Sequence, residues 1–401
     1  MAVGLTESLS RWWMSRYNIA EPELLTGHGA VASLAQSIVR DKRRRVLVAA
    51  SRTVIRKQML ADFLQVLEDA GLAYEVFTEI TPDPTVENVE AGLELYLRTG
   101  CDCVAAVGGG SVIDCAKLIA LRARNLSVSV YGMEIPFIPL KQGAPLYVAP
   151  TTAGAGSEVT LFAVVTDEKK QKKCPVISNH FLPLVVALDP TLAVTVPKEV
   201  TIYAGVDALS HSLEAYVSRT GDRFPEDRAY ADQACKQIMT TLPQVLANLE
   251  DESLRLTMQK SAYEAGLAFR RIGTGYVHSI AHRLGESFHL PHGACIAMAL
   301  PWVLEKSLPV IAGELAVLSQ EMGLSKEDAS PEEGSRAFLA ALRQFLEQLD
   351  LPKQVKVAPD QELDLEKMVR RIQKEAAVQG CPMKLTDEDL LAFLQQVMRK
   401  E

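Results

Sequence analysis

The sequence lacks the long apolar runs that are typical of membrane proteins. No stretch of about 18 or more uncharged apolar residues occurs in its 401 residues, so no transmembrane helix is expected. The first residues, MAVGLTESLSRWWMSRYN, contain no apolar core of a signal peptide and are compatible with a short amphipathic helix. We therefore expect a cytoplasmic protein that has no membrane partner.

Long basic clusters and regularly spaced cysteines are also missing. The net charge is −8 and the densest basic run, Lys42 to Arg45, is four residues long, which argues against a nucleic-acid partner. The seven cysteines are an odd number scattered along the chain, which favours reduced thiols over a disulfide framework. Cys101 and Cys103 do not have CxxC spacing, and we interpret them as small core residues.

Strands and helices alternate in the first half of the chain. Apolar runs predict strands at 46–50, 74–77, 103–107, 146–149, 161–166 and 184–188. Amphipathic stretches predict helices at 54–70, 86–99 and 111–122. Thr85 is the expected N-cap of the second helix. This alternation predicts a Rossmann-like α/β domain with a mainly parallel sheet over residues 1–192, which we expect to bind a dinucleotide.

The second half has helical apolar spacing and almost no strand signals. We predict an all-α, metal-binding domain over residues 193–401, with helices at 200–218, 227–249, 252–269, 276–288, 331–349, 363–377 and 386–399. Pro243 lies inside the second of these helices and is expected to kink or split it.

A glycine triplet follows one of the predicted strands. In VAAVGGGSVIDCAK (104–117), a buried strand leads through Gly108, Gly109 and Gly110 into a helix that begins at Ser111. Backbone N–H groups that no Cβ obstructs, together with the positive end of a helix, suit a pyrophosphate. Because the pattern is neither GxGxxG nor a P-loop, a tight strand–helix turn is the alternative interpretation.

A second glycine-rich segment, APTTAGAGSEVT (149–160), follows another predicted strand. It offers the hydroxyls of Thr151, Thr152 and Ser157 beside bare glycine backbone. Loops that follow strands of one parallel sheet meet at its carboxyl edge, so the two segments together favour a dinucleotide site. The alternative for the second segment is an unusually polar turn.

Histidine is scarce, yet four of the seven histidines fall within VHSIAHRLGESFHLPHG (277–293). His278 and His282 are four residues apart, so both would project from one face of a helix. His292 lies at an expected turn after Pro291, and we interpret His289 as a surface residue.

Asp207 and His211 repeat the four-residue spacing in GVDALSHSLEAY. One carboxylate with several imidazoles suits Fe²⁺ or Zn²⁺, but the spacing leaves open which histidines bind. The alternative is that Asp207 caps a helix while the histidines satisfy buried backbone groups.

Together these segments resemble the iron-containing (group III) alcohol dehydrogenases over almost the whole chain. The resemblance rests on PTVENVEAG, VAAVGGGSVIDCAK, APTTAGAGSEVT, AGVDALSHSLEAY and GYVHSIAHRLGESFHLPHG, in this order. It implies a dehydroquinate synthase-like fold, hydride transfer between NAD or NADP and a primary alcohol, diol or aldehyde, and a homodimer or higher homo-oligomer. The alternatives are a related enzyme of the same fold (glycerol dehydrogenase, maleylacetate reductase or hydroxyacid–oxoacid-type oxidoreductase) and a non-catalytic cofactor-binding protein.

The resemblance also implies roles for individual residues. It implies an Fe²⁺ site, with Zn²⁺ as the alternative, whose ligands are Asp207, His211, His278 and His292. It gives His282, near the nicotinamide, a catalytic role in proton handling. It places the loop from Gly108 to Ser111 at the pyrophosphate and Thr151 and Thr152 near the nicotinamide side. The residues that we predict for the whole cofactor site are Ser51, Gly108, Gly109, Gly110, Ser111, Asp114, Thr151, Thr152 and Ser157.

Three positions depart from the family pattern. Ala155 stands where a threonine is common and Ile296 where an asparagine is usual; neither is an implied metal ligand. Ser51, followed by Arg52, stands at the strand end where NAD-preferring members carry an aspartate that accepts from the adenosine ribose. Loss of that carboxylate and the presence of Arg52 favour tolerance of a 2′-phosphate, and NAD stays compatible.

Overall fold

The structure is a computed structural model that describes residues 19–134, 138–168, 172–357 and 363–400. The short amphipathic helix suggested for the N-terminal residues lies outside the described residues. The strands are β1 (Glu23–Thr26), β2 (Arg45–Ala50), β3 (Ala73–Phe77), β4 (Cys103–Gly108), β5 (Leu146–Pro150), β6 (Phe162–Asp167), β7 (Lys172–Ile177), β8 (Val185–Leu188), β9 (Val355–Val357) and β10 (Met398–Lys400).

Fifteen helices of at least four residues occur in the described part of the chain. They are α1 (Ala30–Arg40), α2 (Arg52–Arg56), α3 (Ala61–Asp69), α4 (Val86–Thr99), α5 (Gly110–Arg122), α6 (Val130–Met133), α7 (Pro190–Ala193), α8 (Lys198–Val217), α9 (Pro225–Ala247), α10 (Glu252–Ile272), α11 (Tyr276–Phe288), α12 (His292–Glu321), α13 (Pro331–Gln348), α14 (Leu365–Lys374) and α15 (Asp387–Val397).

The main sheet has six parallel strands in the order β1-β8-β5-β4-β2-β3. Strands β4, β5 and β8 are buried along their whole length because helices cover both faces of the sheet. Alternate residues serve the two faces: Leu47 and Val104 join one apolar cluster, while Val46 and Ala105 join the other. The predicted fold class, a parallel α/β part followed by a helical part, is confirmed.

Several local predictions are confirmed by the backbone. Thr85 caps α4 through a reciprocal pair of hydrogen bonds with Asn88, and α4 has the predicted bounds. Cys101 and Cys103 are buried core residues, and all seven cysteines are free thiols. One expectation is wrong in part: α9 continues through Pro243, so this proline does not split the helix.

Several elements differ from the predictions, among them β1, α1, β9 and β10, which were not predicted. The predicted helix 54–70 is two helices, α2 and α3, because Gln58 between them adopts a left-handed backbone with φ of 54°. Strand β6 lies outside the main sheet and pairs antiparallel with β7. Strand β7 was not predicted because it contains Pro175 and two lysines, which are unusual in strands.

Helix α12 is another element that was not predicted. It is 30 residues long and contains Pro301 and Pro309, which interrupt a helical pattern. His292 therefore begins a helix rather than lying in a turn. Helix α12 is long and apolar enough to cross a membrane by length and composition alone, but 61% of its apolar window is buried inside the protein, as expected for a core helix.

The chain forms two compact units. The first contains the described residues up to Pro197 together with Asn248–Gly266, and the second contains Lys198–Ala247 and the described residues from Leu267 onward. Within the first unit, Gln259 donates to the carbonyls of Pro150 and Asp189. The predicted boundary after residue 192 assigned Asn248–Gly266 to the second unit. A helical pattern in the sequence does not tell which unit the start of α10 packs against.

Candidate functional site

The two glycine-rich loops leave adjacent strands of the first unit. Strands β4 and β5 pair in parallel with Gly108 opposite Pro150, and the Thr151 N–H donates to the Gly108 carbonyl at 3.0 Å. Strand β2 pairs with β4 on its other side. The segments that begin at Ser51, Gly109 and Thr151 therefore emerge side by side at the carboxyl edge of the sheet, where open α/β sheets bind ligands.

The glycine triplet contacts the hydroxyl-bearing loop closely. A Cβ added to Gly109 would lie 3.5 Å from Thr152 Oγ1, and one added to Gly110 would lie 3.1 Å from the Ala155 methyl and 3.3 Å from Ser157 Oγ. At Gly110 such a methyl would need its neighbours to move. The backbone at the start of α5 and the second glycine-rich loop therefore lie against each other.

Three other residues predicted for the cofactor site make contacts within the protein. Ser51 Oγ accepts from the Val54 N–H and caps α2, and Ser111 Oγ donates to the Pro82 carbonyl. Asp114 is half-buried in α5 and accepts from the Val164 N–H at 2.9 Å. Burial raises the pKa of the Asp114 carboxyl. A direct cofactor contact for Asp114 stays a prediction.

A buried lysine and a buried glutamate lie in α5 and the second glycine-rich loop. Lys117 is 1% exposed and donates to the carbonyls of Thr160 and Phe162 at 2.9 and 2.7 Å. Burial lowers the pKa of Lys117 to about 8, although Asp114 and Glu158 oppose the shift. Burial likewise raises the pKa of Glu158 to about 7, against the charge of Lys117. Neither residue was among those predicted for the site.

The raised pKa of Glu158 makes stability depend on pH. The folded state binds more protons than the unfolded state between the ordinary pKa of 4.5 and about 7, so wild-type stability falls as pH rises through this window. We expect Glu158→Gln to raise the free energy of unfolding at pH 8 by about 2 kcal/mol and to change it little at pH 4.5. The gain is limited because the variant also removes a charge that attracts Lys117. Denaturant titrations of the cofactor-free protein at both pH values measure this, and a variant less stable than wild type at pH 8 would contradict it.

Three helices of the second unit bring the predicted metal ligands together. Asp207 and His211 lie one turn apart on α8, His278 lies in the first turn of α11, and His292 begins α12. Asp207 Oδ1 lies 3.4 Å from Nε2 of His278, 3.4 Å from Nε2 of His292 and 3.8 Å from Nε2 of His211. The three imidazoles therefore converge on one oxygen of the Asp207 carboxylate.

These distances fit a shared cation better than direct hydrogen bonds. Hydrogen bonds between nitrogen and oxygen are about 2.7–3.2 Å long. Two ligand atoms that each lie about 2.1 Å from a tetrahedral cation are separated by about 3.4 Å. Asp207 Oδ1 and His278 Nε2 are buried and have no hydrogen-bond partner among the described residues, which is costly unless a cation satisfies both. The chemistry and spacing of the donor set fit a divalent metal.

The electrostatics of the cluster agree with this fit. Burial opposes ionisation of Asp207, but the His211 and His292 imidazoles hold the pKa of its carboxyl well below the usual range. Burial would lower the pKa of His278, but the Asp207 and Glu214 carboxylates raise it to about 9. Since a ligating imidazole must be neutral, metal binding displaces a proton from His278.

His282 lies beside this cluster rather than within it. Its ring centroid lies 5.5 Å from that of His292, and its side chain is 46% exposed. Its Nδ1 lies 3.0 Å from Glu375 Oε2. Partial burial lowers the pKa of the His282 imidazole, against the attraction of Glu375. His289 is exposed at the end of α11, as predicted.

Two carboxylates of the site were not identified from the sequence. Glu214 Oε2 lies 2.5 Å from His278 Nδ1, and Glu375 contacts His282. Glu214 lies seven residues after Asp207 on α8, on the same helical face as His211, and this periodicity was a usable signal. Glu375 lies 93 residues from His282, and no local pattern connects the two.

A parallel α/β unit with glycine-rich loops and a helical unit with a carboxylate–imidazole cluster that fits a metal are together the features of a class of metal-containing oxidoreductases. Residues 22–190 match the family model for iron-containing alcohol dehydrogenase, and residues 201–398 match the model for the C-terminal part of the Fe-containing alcohol dehydrogenase family. The chain belongs to the iron-containing alcohol dehydrogenase family.

The similarity to individual relatives extends over most of the chain. The NAD-dependent methanol dehydrogenase of Bacillus methanolicus is 30% identical, covering 94% of this chain and 98% of its own. The 1,3-propanediol dehydrogenase of Citrobacter freundii is 32% identical, covering 82% and 84%. The crystal structure of a 1,3-propanediol oxidoreductase superposes with a TM-score of 0.86 at 28% identity, covering 95% of this chain and 99% of that one.

Proposed function

We propose that this protein is a metal-dependent, NAD(P)-linked alcohol dehydrogenase or aldehyde reductase that acts on small primary alcohols, diols or aldehydes. One observation carries the proposal: three imidazole Nε2 atoms lie within 3.4–3.8 Å of Asp207 Oδ1 in a chain of this family. The names of the relatives, which include a methanol dehydrogenase, a lactaldehyde reductase, a 1,3-propanediol dehydrogenase and a long-chain-alcohol dehydrogenase, support an alcohol or aldehyde substrate. We also propose a homo-oligomeric, cytoplasmic enzyme.

The proposed roles follow from the chemistry of each group. Asp207, His211, His278 and His292 would hold Fe²⁺, and Zn²⁺ suits the same donors. When bound, such a metal acidifies a hydroxyl and polarises a carbonyl, while the nicotinamide carries the hydride. The Glu375 carboxylate accepts from His282 Nδ1, which leaves His282 Nε2 as the atom that takes up or releases the substrate proton.

The first unit would hold the dinucleotide at the carboxyl edge of its sheet. The glycine triplet leads into a 13-residue helix that begins at Gly110. The positive end of a helix and its free backbone N–H groups attract a pyrophosphate. The hydroxyls of Thr151 and Thr152 would contact the nicotinamide side. Both NAD and NADP are compatible with this arrangement.

Cofactor choice is expected to depend on the end of β2. Ser51 replaces a carboxylate there, and Arg52 is exposed beside it, so a 2′-phosphate meets no repulsion. We expect Ser51→Asp to lower kcat/KM for NADPH by about 10–100-fold, the value of one charge-assisted contact, and to leave NADH nearly unchanged. Steady-state kinetics with both cofactors measure the ratio.

The matched control is Arg56→Gln, which removes a positive charge four residues from Arg52. It should change the NADPH to NADH ratio by less than about threefold, because an exposed charge at a distance is screened. An equal loss of kcat/KM with NADH and with NADPH in Ser51→Asp would show that this position does not distinguish the two cofactors at the ribose.

A panel of short aldehydes tests the proposed function directly. Methanal, butanal, lactaldehyde and 3-hydroxypropanal are offered with NADH and with NADPH, before and after chelation and after reloading with Fe²⁺ or Zn²⁺. We expect metal-dependent oxidation of the cofactor with at least one aldehyde. Tight cofactor binding without turnover of any alcohol, diol or aldehyde would favour a non-catalytic protein, and turnover confined to oxoacids would favour a related enzyme of the same fold.

A further inference from the structure

Glu214 lies behind the imidazole of His278, on the side opposite to Asp207. We propose that Glu214 is a positioning residue for the metal: its carboxylate fixes the orientation of His278 and, in the neutral imidazole, the tautomer, so that Nε2 faces Asp207 and offers its lone pair to the metal. The inference rests on the metal site of the proposed function. It is tested by the affinity of the protein for the metal, whereas the proposed function is tested by turnover.

The contacts of Glu214 define this role. Its side chain is 5% exposed, and Oε2 lies 2.5 Å from His278 Nδ1. The other oxygen, Oε1, accepts from the Val277 N–H at 2.8 Å. Gly275, the N-cap of α11, has no side chain that could satisfy the first turn. Glu214 therefore caps the helix and holds the imidazole with one group.

The surrounding space restricts the carboxylate to this position. A Cβ added to Gly275 would lie 2.7 Å from Glu214 Oε1 and 2.8 Å from Cys381 Sγ. Distances of this kind require neighbouring atoms to move. The bare backbone of Gly275 thus admits the carboxylate of Glu214.

A carboxylate only accepts hydrogen bonds, so His278 Nδ1 must carry the hydrogen and Nε2 keeps its lone pair for the metal. In Glu214→Gln, the amide oxygen can still accept from Val277 and preserve the helix cap. The amide NH₂ group then faces Nδ1 and donates to it. The proton of a neutral imidazole moves to Nε2, where it blocks ligation.

Zn²⁺ competition with a chromogenic chelator tests this on the full-length protein. We expect the Zn²⁺ dissociation constant of Glu214→Gln to rise by about 10–100-fold, with little change in the thermal midpoint of the metal-free protein because the cap remains. Glu214→Asp, which keeps the acceptor but shortens it, should lie between the two. Gly275→Ala, which displaces the carboxylate without altering it, should also weaken binding.

The matched control is Glu375→Gln, the same substitution on a carboxylate that contacts His282. Its Zn²⁺ affinity should stay within about twofold of wild type. An unchanged affinity in Glu214→Gln would overturn the proposal, and so would an equal loss in Glu214→Gln and Glu375→Gln, which would indicate general charge loss. Wild-type protein that binds no Zn²⁺ would overturn the metal site itself, whereas bound Zn²⁺ without turnover would contradict only the proposed reaction.

Discussion

Removal of the metal is expected to lower kcat/KM for alcohol oxidation by about 10³-fold or more, and Fe²⁺ or Zn²⁺ should restore it. A metal contributes several kcal/mol of charge stabilisation in reactions of this kind, and each 1.36 kcal/mol is a factor of ten in rate. His278→Ala should have the same effect because it removes a proposed ligand, a buried imidazole whose Nε2 lies 3.4 Å from Asp207 Oδ1. Metal content by elemental analysis and turnover with a short alcohol measure both losses.

His289→Ala is the control for the metal prediction. It removes an exposed histidine from the same histidine-rich segment, and should leave metal content and activity near the wild-type values. Full metal content together with full activity in His278→Ala would show that the ligand assignment is wrong.

The second large effect is expected at His282. Alanine at this position should lower kcat by about 10²–10⁴-fold, the usual contribution of a general acid–base group, while metal content stays that of wild type. Its lowered pKa keeps the wild-type imidazole neutral, and able to accept a proton, at neutral pH. Wild-type alcohol oxidation should therefore fall as pH decreases through that pKa, and this limb should be absent in His282→Ala.

The variants of His278 and His282, both on α11, distinguish the proposed metal ligand from the proposed proton carrier. His278→Ala should lose metal and turnover together, whereas His282→Ala should lose turnover alone. Loss of the metal from His282→Ala would mean that His282 is a ligand. A pH profile of unchanged shape in that variant would exclude it as the proton carrier.

Much of the α/β part could be predicted because its signals are local. Buried apolar runs predicted β2, β4 and β5 within one residue at each end, and Thr85 indicated the start of α4 through a cap that acts over three residues. The prediction of one helix over 54–70 was wrong because the left-handed residue Gln58 carries no special side chain. Helix α12 was missed because its two prolines imitate helix ends.

The site shows the same division. The four-residue spacings of Asp207 with His211 and of His278 with His282 were visible, but they could not separate ligands from a neighbour. Family resemblance implied the assignment. The structure brings the Nε2 atoms of His211, His278 and His292 to within 3.8 Å of Asp207 Oδ1. Glu375 had no local signal because α14 ends just before it and meets α11 only in the folded chain.

The sequence by itself determined the alternation of strands and helices, the position of the glycine-rich loops and the pairing of charged groups one helical turn apart. These depend on interactions within a few residues. Only the tertiary structure decided which imidazoles surround Asp207 and which carboxylate supports each of them. Those neighbours come from different helices, and the distances between their atoms depend on how the helices pack, which no local pattern specifies.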